Sequence, residues 1–395
     1  MDLDGNSVPL NLSTAKSVKQ KPASPIENGI RSWLGLLPTG VHALVPPEVH
    51  KAALGAPKRW VVYTPMVLLP SGSFEQLWWQ ELAIQIPQHI DSLWQSILAQ
   101  ISKREGKGKL THLAINAGIP LNKHEDENEN VLRTPSGLLM LCGNFGPALD
   151  PGLQPTERDL EEAFWVRTKQ NGIVQIWAPR YTMFSRGNIK EKSRILDFHS
   201  KGKHNRSNTQ VGTETAIDLY AGIGYFVFSY VKMGMKRVLG WEINPWSVEG
   251  LRRGALANGW TAKVIRPEET LSLENENVVI FVEDNLRASE RLLLVEQGAA
   301  LKISHVNCGL LPSSAASWET ALSALSGDGW LHLHENVGVK DIAKRKEEIG
   351  EVLHGLLTRK QSRRFLTMDE VDLVKTFAPG VWHCVFDVFI TDPVA

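Results

Sequence analysis

Two short stretches of the chain could do chemistry: Asp218-Leu-Tyr-Ala-Gly222-Ile-Gly224-Tyr-Phe226, and Trp241-Glu242-Ile-Asn-Pro245 at the end of the next apolar run. Glycines at 222 and 224 let the turn out of an apolar strand adopt φ values closed to other residues and pass close to a ligand. Glu242 follows Asp218 by 24 residues. It stands where the acidic residue of doubly wound nucleotide folds accepts hydrogen bonds from ribose hydroxyls. Phe226 and Val227 occupy the place of the third glycine of the dinucleotide fingerprint, which counts against NAD. A two-glycine loop with a ribose carboxylate and no pyrophosphate signature suits S-adenosylmethionine, which carries an adenosine and no phosphate.

The elements that must hold these residues alternate between strand and helix patterns. Apolar strand runs fall at 215–219, 238–242, 278–283, 303–308 and 330–335, with helices after Gly224, over 246–257, near 317–325 and over 340–357. Two further strands, 373–377 and 382–390, are joined by Ala378-Pro379-Gly380 and fit a hairpin at one edge. This predicts an α/β class I methyltransferase-like Rossmann fold, a mostly parallel seven-stranded sheet covered on both faces. Its ligand belongs beyond the carboxyl ends of the strands.

Upstream, residues 1–28 are rich in Ser, Asn, Lys and Pro and read as a disordered tail. Residues 29–105 form an N-terminal α/β region, with a strand over 60–69 and a core stripe of Ile90, Leu93, Trp94, Ile97, Leu98 and Ile101 at helical spacing. A charged, glycine-containing stretch over 103–109 leads into a small α/β domain, 106–180, which has an acidic loop at 124–129 and strands at 138–141 and 172–177. The catalytic domain is expected over 181–395.

With 43 Lys+Arg against 43 Asp+Glu, a nucleic-acid partner would have to be met by a local basic patch. Cys142, Cys308 and Cys384 lie far apart, with no CxxC pair and no histidine at metal-ligand spacing. No metal and no disulfide framework is expected. No apolar run reaches bilayer-spanning length and the N-terminus has no apolar signal core, so a soluble cytoplasmic protein without a membrane partner is expected.

Five separated blocks resemble the wybutosine-synthesising tRNA aminocarboxypropyltransferases, sister to the tRNA guanine-N1 methyltransferases. They are Tyr181-Thr-Met-Phe-Ser185-Arg-Gly-Asn188-Ile-Lys-Glu-Lys192, the Asp218 to Phe226 loop, Glu242-Ile-Asn-Pro245, Asn307-Cys-Gly-Leu-Leu-Pro312-Ser-Ser314, and Phe377-Ala-Pro-Gly-Val-Trp-His383. The resemblance covers roughly 110–395. It implies transfer of the 3-amino-3-carboxypropyl group of S-adenosylmethionine to a ring carbon of a tricyclic base, 4-demethylwyosine, made from the guanosine 3′ of the anticodon of tRNA(Phe). Methylthioadenosine would be released. The sulfonium has three carbon neighbours, and the one held in line with the nucleophile is the one transferred.

Carried over from the family, Ser185 and Lys192 would contact the donor, Asp218, Gly222 and Gly224 would cradle it, and Glu242 would bind its ribose. Asp284 and Asn285 would meet the adenine end. Asn307, Pro312 and Ser313, with Ser314, would shape the acceptor-base pocket. Ser185 and Lys192, seven residues apart, would share one face if the block is helical. Ser185 as a helix cap and Asp284 as an N-cap are the structural alternatives. His383 reads as packing, and Cys308 as a small buried hydrophobe where the family pattern suggests a bulkier aliphatic. The stretches 197–212 and 261–277 look like inserted surface loops. Arg180, Arg186, Lys190, Lys201 to Arg206, Lys344-Arg345-Lys346 and Arg363-Arg364 could meet RNA phosphates, and the tryptophan-rich stretch 60–94 could stack bases; for each, a solvated face or ordinary packing is the alternative. Two other functions remain open: tRNA guanine-N1 methylation, and a non-catalytic RNA-binding scaffold.

Overall fold

A computed structural model describes residues 24–52, 56–116, 137–150, 152–201, 206–269, 273–296 and 301–393. The chain divides into two compact units, 1–58 with 73–106, and 59–72 with 107–395. The acidic loop at 124–129 and residues 1–23 lie outside the described residues.

In the first unit, helix Pro25–Leu36 starts inside the expected tail. Ser24 accepts a hydrogen bond from the Glu27 amide at 3.1 Å and Pro25 takes the first helical position, a start signal that tail-like composition conceals. The helix buries Ile26, Ile30 and Trp33. Helix Pro87–Glu105 buries Leu93, Trp94, Ile97, Leu98 and Ile101, the stripe read from the sequence, and ends at Gly106, whose φ is 62°. The two helices touch at Gly29, where a Cβ would lie 2.7 Å from the Ile97 Cα.

The second unit opens with strands β1 (Val61–Tyr63) and β2 (Met66–Leu69), a hairpin where one strand was expected. Pro65 has no N–H to continue a ladder, and the chain reverses there. β2 pairs in parallel with β3 (His112–Asn116), which pairs antiparallel with β4 (Leu138–Cys142). One four-stranded sheet therefore takes strands from both sides of the expected boundary at 105/106. β5 (Val166–Gln170) and β6 (Ile173–Trp177) form a separate hairpin.

The main sheet contains β7 (Thr215–Asp218), β8 (Arg237–Trp241), β9 (Ala262–Ile265), β10 (Val278–Phe281), β11 (Ile303–Cys308), β12 (Gly329–Gly338), β13 (Phe365–Ala378) and β14 (Val381–Thr391). Its order is β13-β14-β12-β11-β7-β8-β10-β9. The six strands from β12 to β9 run parallel, and β13-β14 is the expected antiparallel hairpin at one edge. The sheet has eight strands where seven were expected, because the 261–277 stretch supplies β9 and is no mere surface loop. The 197–212 stretch also contributes to the core: helix Phe198–Lys201 brings His199 into burial, and Arg206 bonds Glu214 at 2.6 Å. Strand order reverses at β7, between β8 and β11, so the crevice at the carboxyl ends opens there. Among the described residues no helix is long and apolar enough to cross a membrane.

Helix Pro245–Ala257, which leaves the Glu242 strand end, lies on β6 at Gly250. A Cβ there would sit 2.7 Å from the Ile176 carbonyl oxygen. Gly250→Ala gains about 1 kcal/mol of helix propensity and loses about 1–3 kcal/mol to overpacking against a backbone atom. We expect net destabilisation, read as a lower urea midpoint; a raised midpoint would show that the helix can move off β6.

Candidate functional site

The glycine loop leaves β7 at the switch point. Gly222 has φ 54° and Gly224 φ 88°, both in the left-handed region, and a Cβ at 224 would come within 2.7 Å of the Phe228 ring. The close approach that requires glycine at 224 is thus made by a packed phenyl ring. The Gly222 amide donates to Glu242 Oε2 at 2.8 Å and the Asn244 amide to Glu242 Oε1 at 2.7 Å. A carboxylate has about four lone-pair positions, more than the backbone donors here occupy. Burial pushes the Glu242 carboxyl up to about 7, against the backbone donors of Asn244, Gly222 and Ile243.

Asp218, fully buried at the end of β7, accepts from the Tyr220 amide and from Asn307 Nδ2, each at 3.1 Å. Its Oδ2 has no hydrogen-bond partner among the described residues. Burial raises its carboxyl to about 6. Beyond β10, Asp284 caps the 3-10 turn Asn285–Arg287 by accepting from the Leu286 amide at 2.8 Å, and Asn285 Nδ2 donates to the Leu219 carbonyl at 2.8 Å. The N-cap alternative for Asp284 therefore holds, while its exposure leaves it accessible.

Ser185 and Lys192 do not share one helical face. A 3-10 turn, Arg186–Asn188, separates Ser185 from helix Ile189–Leu196, and three residues per turn instead of 3.6 shifts the phase. The Lys192 ammonium is buried, 2.6 Å from Gln170 Oε1 and 3.0 Å from Gln175 Oε1, over the rings of Phe184 and Tyr225. Burial lowers it to about 8. Ser185 makes no side-chain cap bond. Its amide donates to the Tyr225 hydroxyl at 3.1 Å, and its Oγ accepts from Lys375 Nζ at 3.2 Å. Tyr225 thereby ties the Ser185 block to the glycine loop. The sequence reading missed Tyr225 and Lys375; the first lies in the loop motif, whereas nothing near Lys375 signals its role.

The loop after β11 is held from beneath. Ser313 Oγ donates to Glu335 Oε1 at 2.5 Å, the Pro312 carbonyl accepts from the Asn336 amide at 2.8 Å, and Ser314 is buried against the His334 carbonyl and the Trp318 indole. Pro312 and Ser313 remain accessible. Asn307 is instead fully buried, with its amide nitrogen on Asp218 and its Oδ1 3.1 Å from His334 Nε2. Its side chain lies beneath the loop and joins β7 to β12 through these two bonds. Cys308 is buried, and burial pushes its thiol up to about 12.

Two polar rows cross the sheet. In one, Asp218, Asn307, His334 and His383 follow one another, with His334 Nδ1 2.8 Å from His383 Nε2. Since the Asn307 carbonyl faces His334 Nε2, that nitrogen carries the proton, and His383 Nε2 donates to His334 Nδ1. His383 Nδ1 is left buried without a partner among the described residues. Burial, then neighbouring charge, brings both imidazoles to about 3. In the other row, His199, His305, His332 and Asp387 stand 2.9, 2.9 and 2.7 Å apart in turn, and Arg194 reaches Asp387 Oδ2 at 2.5 Å. His383 is packed, as expected, but as part of a hydrogen-bonded row. The alternation Trp330-Leu-His332-Leu-His334 was the available signal, since every second strand residue shares a face.

The expected RNA contacts are partly engaged within the protein. Lys190 bonds the Leu373 carbonyl, Arg345 bonds Glu335 and Glu348, and Arg364 bonds Asp392. Arg186 and Arg363 are exposed. Lys203 and His204, and the side chain of Lys201, lie outside the described residues. Trp79 and Trp94 are buried and pack on Phe74.

No protein-family model matches the chain. It is 40% identical over 352 residues to tRNA wybutosine-synthesizing protein 2 of Schizosaccharomyces pombe, across 88% of this chain and 76% of that one. Identity to the protein of the same name from Saccharomyces cerevisiae is 32% over 373 residues, across 84% and 74% of the two chains. Among solved structures, Pyrococcus horikoshii TYW2 in complex with MeSAdo gives a TM-score of 0.55 at 16% identity, covering 93% of this chain and 100% of that one. Trm5b of Pyrococcus abyssi gives 0.51 at 15%, covering 86% and 78%. At such identities these two structures speak for the fold.

Proposed function

Because the chain belongs to the tRNA wybutosine-synthesizing protein 2 family, we propose that it transfers the 3-amino-3-carboxypropyl group of S-adenosyl-L-methionine to C7 of 4-demethylwyosine at position 37 of tRNA(Phe), next to the anticodon. The observation that supports this reading best within the molecule is the Glu242 carboxylate, fixed by two backbone amides at the switch point and with acceptor capacity left for a ribose diol. Asp284 and Asn285 would meet the adenine. Ser185 would meet the amino-acid arm, while Lys192 acts through Phe184 and Tyr225 to hold Ser185 in place. Asp218 and Asn307 support the glycine loop, and Pro312 and Ser313 border the acceptor base. The tRNA grip is assigned to the N-terminal region and the small α/β segments before residue 181.

The ring carbon of the base attacks the γ-carbon of the arm, the C–C bond forms as the C–S bond breaks, and the ring carbon then loses its proton. Methylthioadenosine leaves as a neutral thioether. The residues contribute orientation: the reacting carbons must be held about 3–3.5 Å apart and in line.

Incubation with precursor-bearing tRNA and S-adenosylmethionine, reading RNA mass and small-molecule product together, tests this. We expect methylthioadenosine and RNA heavier by the aminocarboxypropyl group. S-adenosylhomocysteine with methylated RNA would replace this reading by guanine methylation, and absence of donor binding would replace it by a scaffold role.

A further inference from the structure

Lys375 lies on β13, outside every motif described above, and its ammonium is half-buried beside Ser185. Burial lowers its pKa, and among the described residues no carboxylate pairs with it. Its stem crosses the backbone of Gly187, where a Cβ would fall 2.5 Å from the Lys375 Cδ, so glycine at that position makes room for it. The hydrogen bond to Ser185 Oγ uses one of three ammonium N–H groups, and the Ser185 O–H has no acceptor among the described residues. Hydrogen-bond donors are therefore in excess at this point, with a positive charge and without an anion. A partly desolvated ammonium in that state favours an anion with two or more acceptor oxygens. Ser185 is joined through Tyr225 to the glycine loop, and Tyr225 lies within reach of the Glu242 charge.

Resting on the reading in the preceding subsection, we propose that Lys375, together with the Ser185 hydroxyl, binds the α-carboxylate of the donor's amino-acid arm and so decides which sulfonium substituent faces the base. Holding the carboxylate on the β13 side draws the arm away from the interior of the sheet. The γ-carbon is then presented to the acceptor.

The test compares two unreactive ligands, S-adenosylhomocysteine, which has the carboxylate, and methylthioadenosine, which lacks the whole arm beyond sulfur. By calorimetry with the full chain, Lys375→Gln should weaken S-adenosylhomocysteine binding about 10- to 100-fold and leave methylthioadenosine binding within about twofold. Lys375→Arg should recover most of the loss, which a merely structural role for the side chain would not require. Equal weakening of both ligands, or no weakening of either, overturns the proposal. So does a loss confined to tRNA binding, which would assign Lys375 to an RNA phosphate. The family reading stands or falls on wild-type product identity, whereas Lys375 stands or falls on the difference between the two ligands; wild-type protein that binds neither would overturn both.

Discussion

Replacing Asp387 by alanine is expected to cost about 3–5 kcal/mol of folding free energy, the scale for removing one partner of a buried charge pair. Asp387 is buried on β14, with His332 on Oδ1 at 2.7 Å and Arg194 on Oδ2 at 2.5 Å. Although burial opposes it, His332 and Arg194 hold its carboxyl down at about 2. Without it, the His332 Nδ1–H points into a fully buried site with no acceptor. Arg194 retains Glu191 at 2.7 Å and Asp372 at 3.2 Å, which favours the lower end of the range. Equilibrium denaturation checks this, and a loss under about 1 kcal/mol would mean that water or a rearranged histidine replaces the carboxylate.

The same rows fix the sign of the pH dependence. His334 and His383 are depressed to about 3, and His305 is also held well below its ordinary value, all first by burial. A depressed histidine gives stability that is complete above its unfolded pKa and is lost as pH falls toward the folded one. Burial raises Asp218 to about 6 and Glu242 to about 7, and these two act in the opposite sense between about pH 4 and those values. His334 and His383, each brought to about 3, together with His305 lowered in the same direction, outweigh the two carboxyls, so stability should fall as pH drops from about 6.5 toward 3. A denaturation midpoint that rises on acidification over that interval would contradict the neutral, buried rows.

Glu242→Gln is expected to reduce affinity for S-adenosylmethionine about 10- to 100-fold on the proposed assignment, the equivalent of one lost charge-assisted hydrogen bond. The variant cannot copy the cradle: each Glu242 oxygen accepts a backbone amide, and a glutamine NH₂ group must oppose one of those donors. The loop loses its tether as the ribose loses its acceptor. Because burial raises Glu242 to about 7 and ribose hydroxyls bind its ionised form, wild-type affinity should strengthen with pH up to about 7 and level off above it. In the variant that slope should be absent. Calorimetry on both sides of pH 7 checks both points; unchanged affinity would remove Glu242 from the donor site.

Legible from residue order alone were β7, β8, β10, β11 and β12 with their helices, the terminal hairpin, and the placing of Gly222, Gly224 and Glu242 at strand ends. Each rests on local physics: hydrophobic periodicity, a proline-glycine turn, and backbone angles that favour glycine. β9 was hidden because Ala262, Lys263 and Val264 are only partly buried at the sheet edge, which leaves no strong alternation to read. Helix Pro25–Leu36 was hidden by a polar start. Long-range packing alone sets Asn307 on Asp218 and His334, turns Lys192 toward two glutamines, and brings Lys375 to Ser185 across 190 positions of chain. The histidine rows belong to the same class, since His305 meets His332 and His334 meets His383 at separations of 27 and 49 residues. Strand register sets those meetings, and a slip of one residue would turn every one of these side chains to the opposite face.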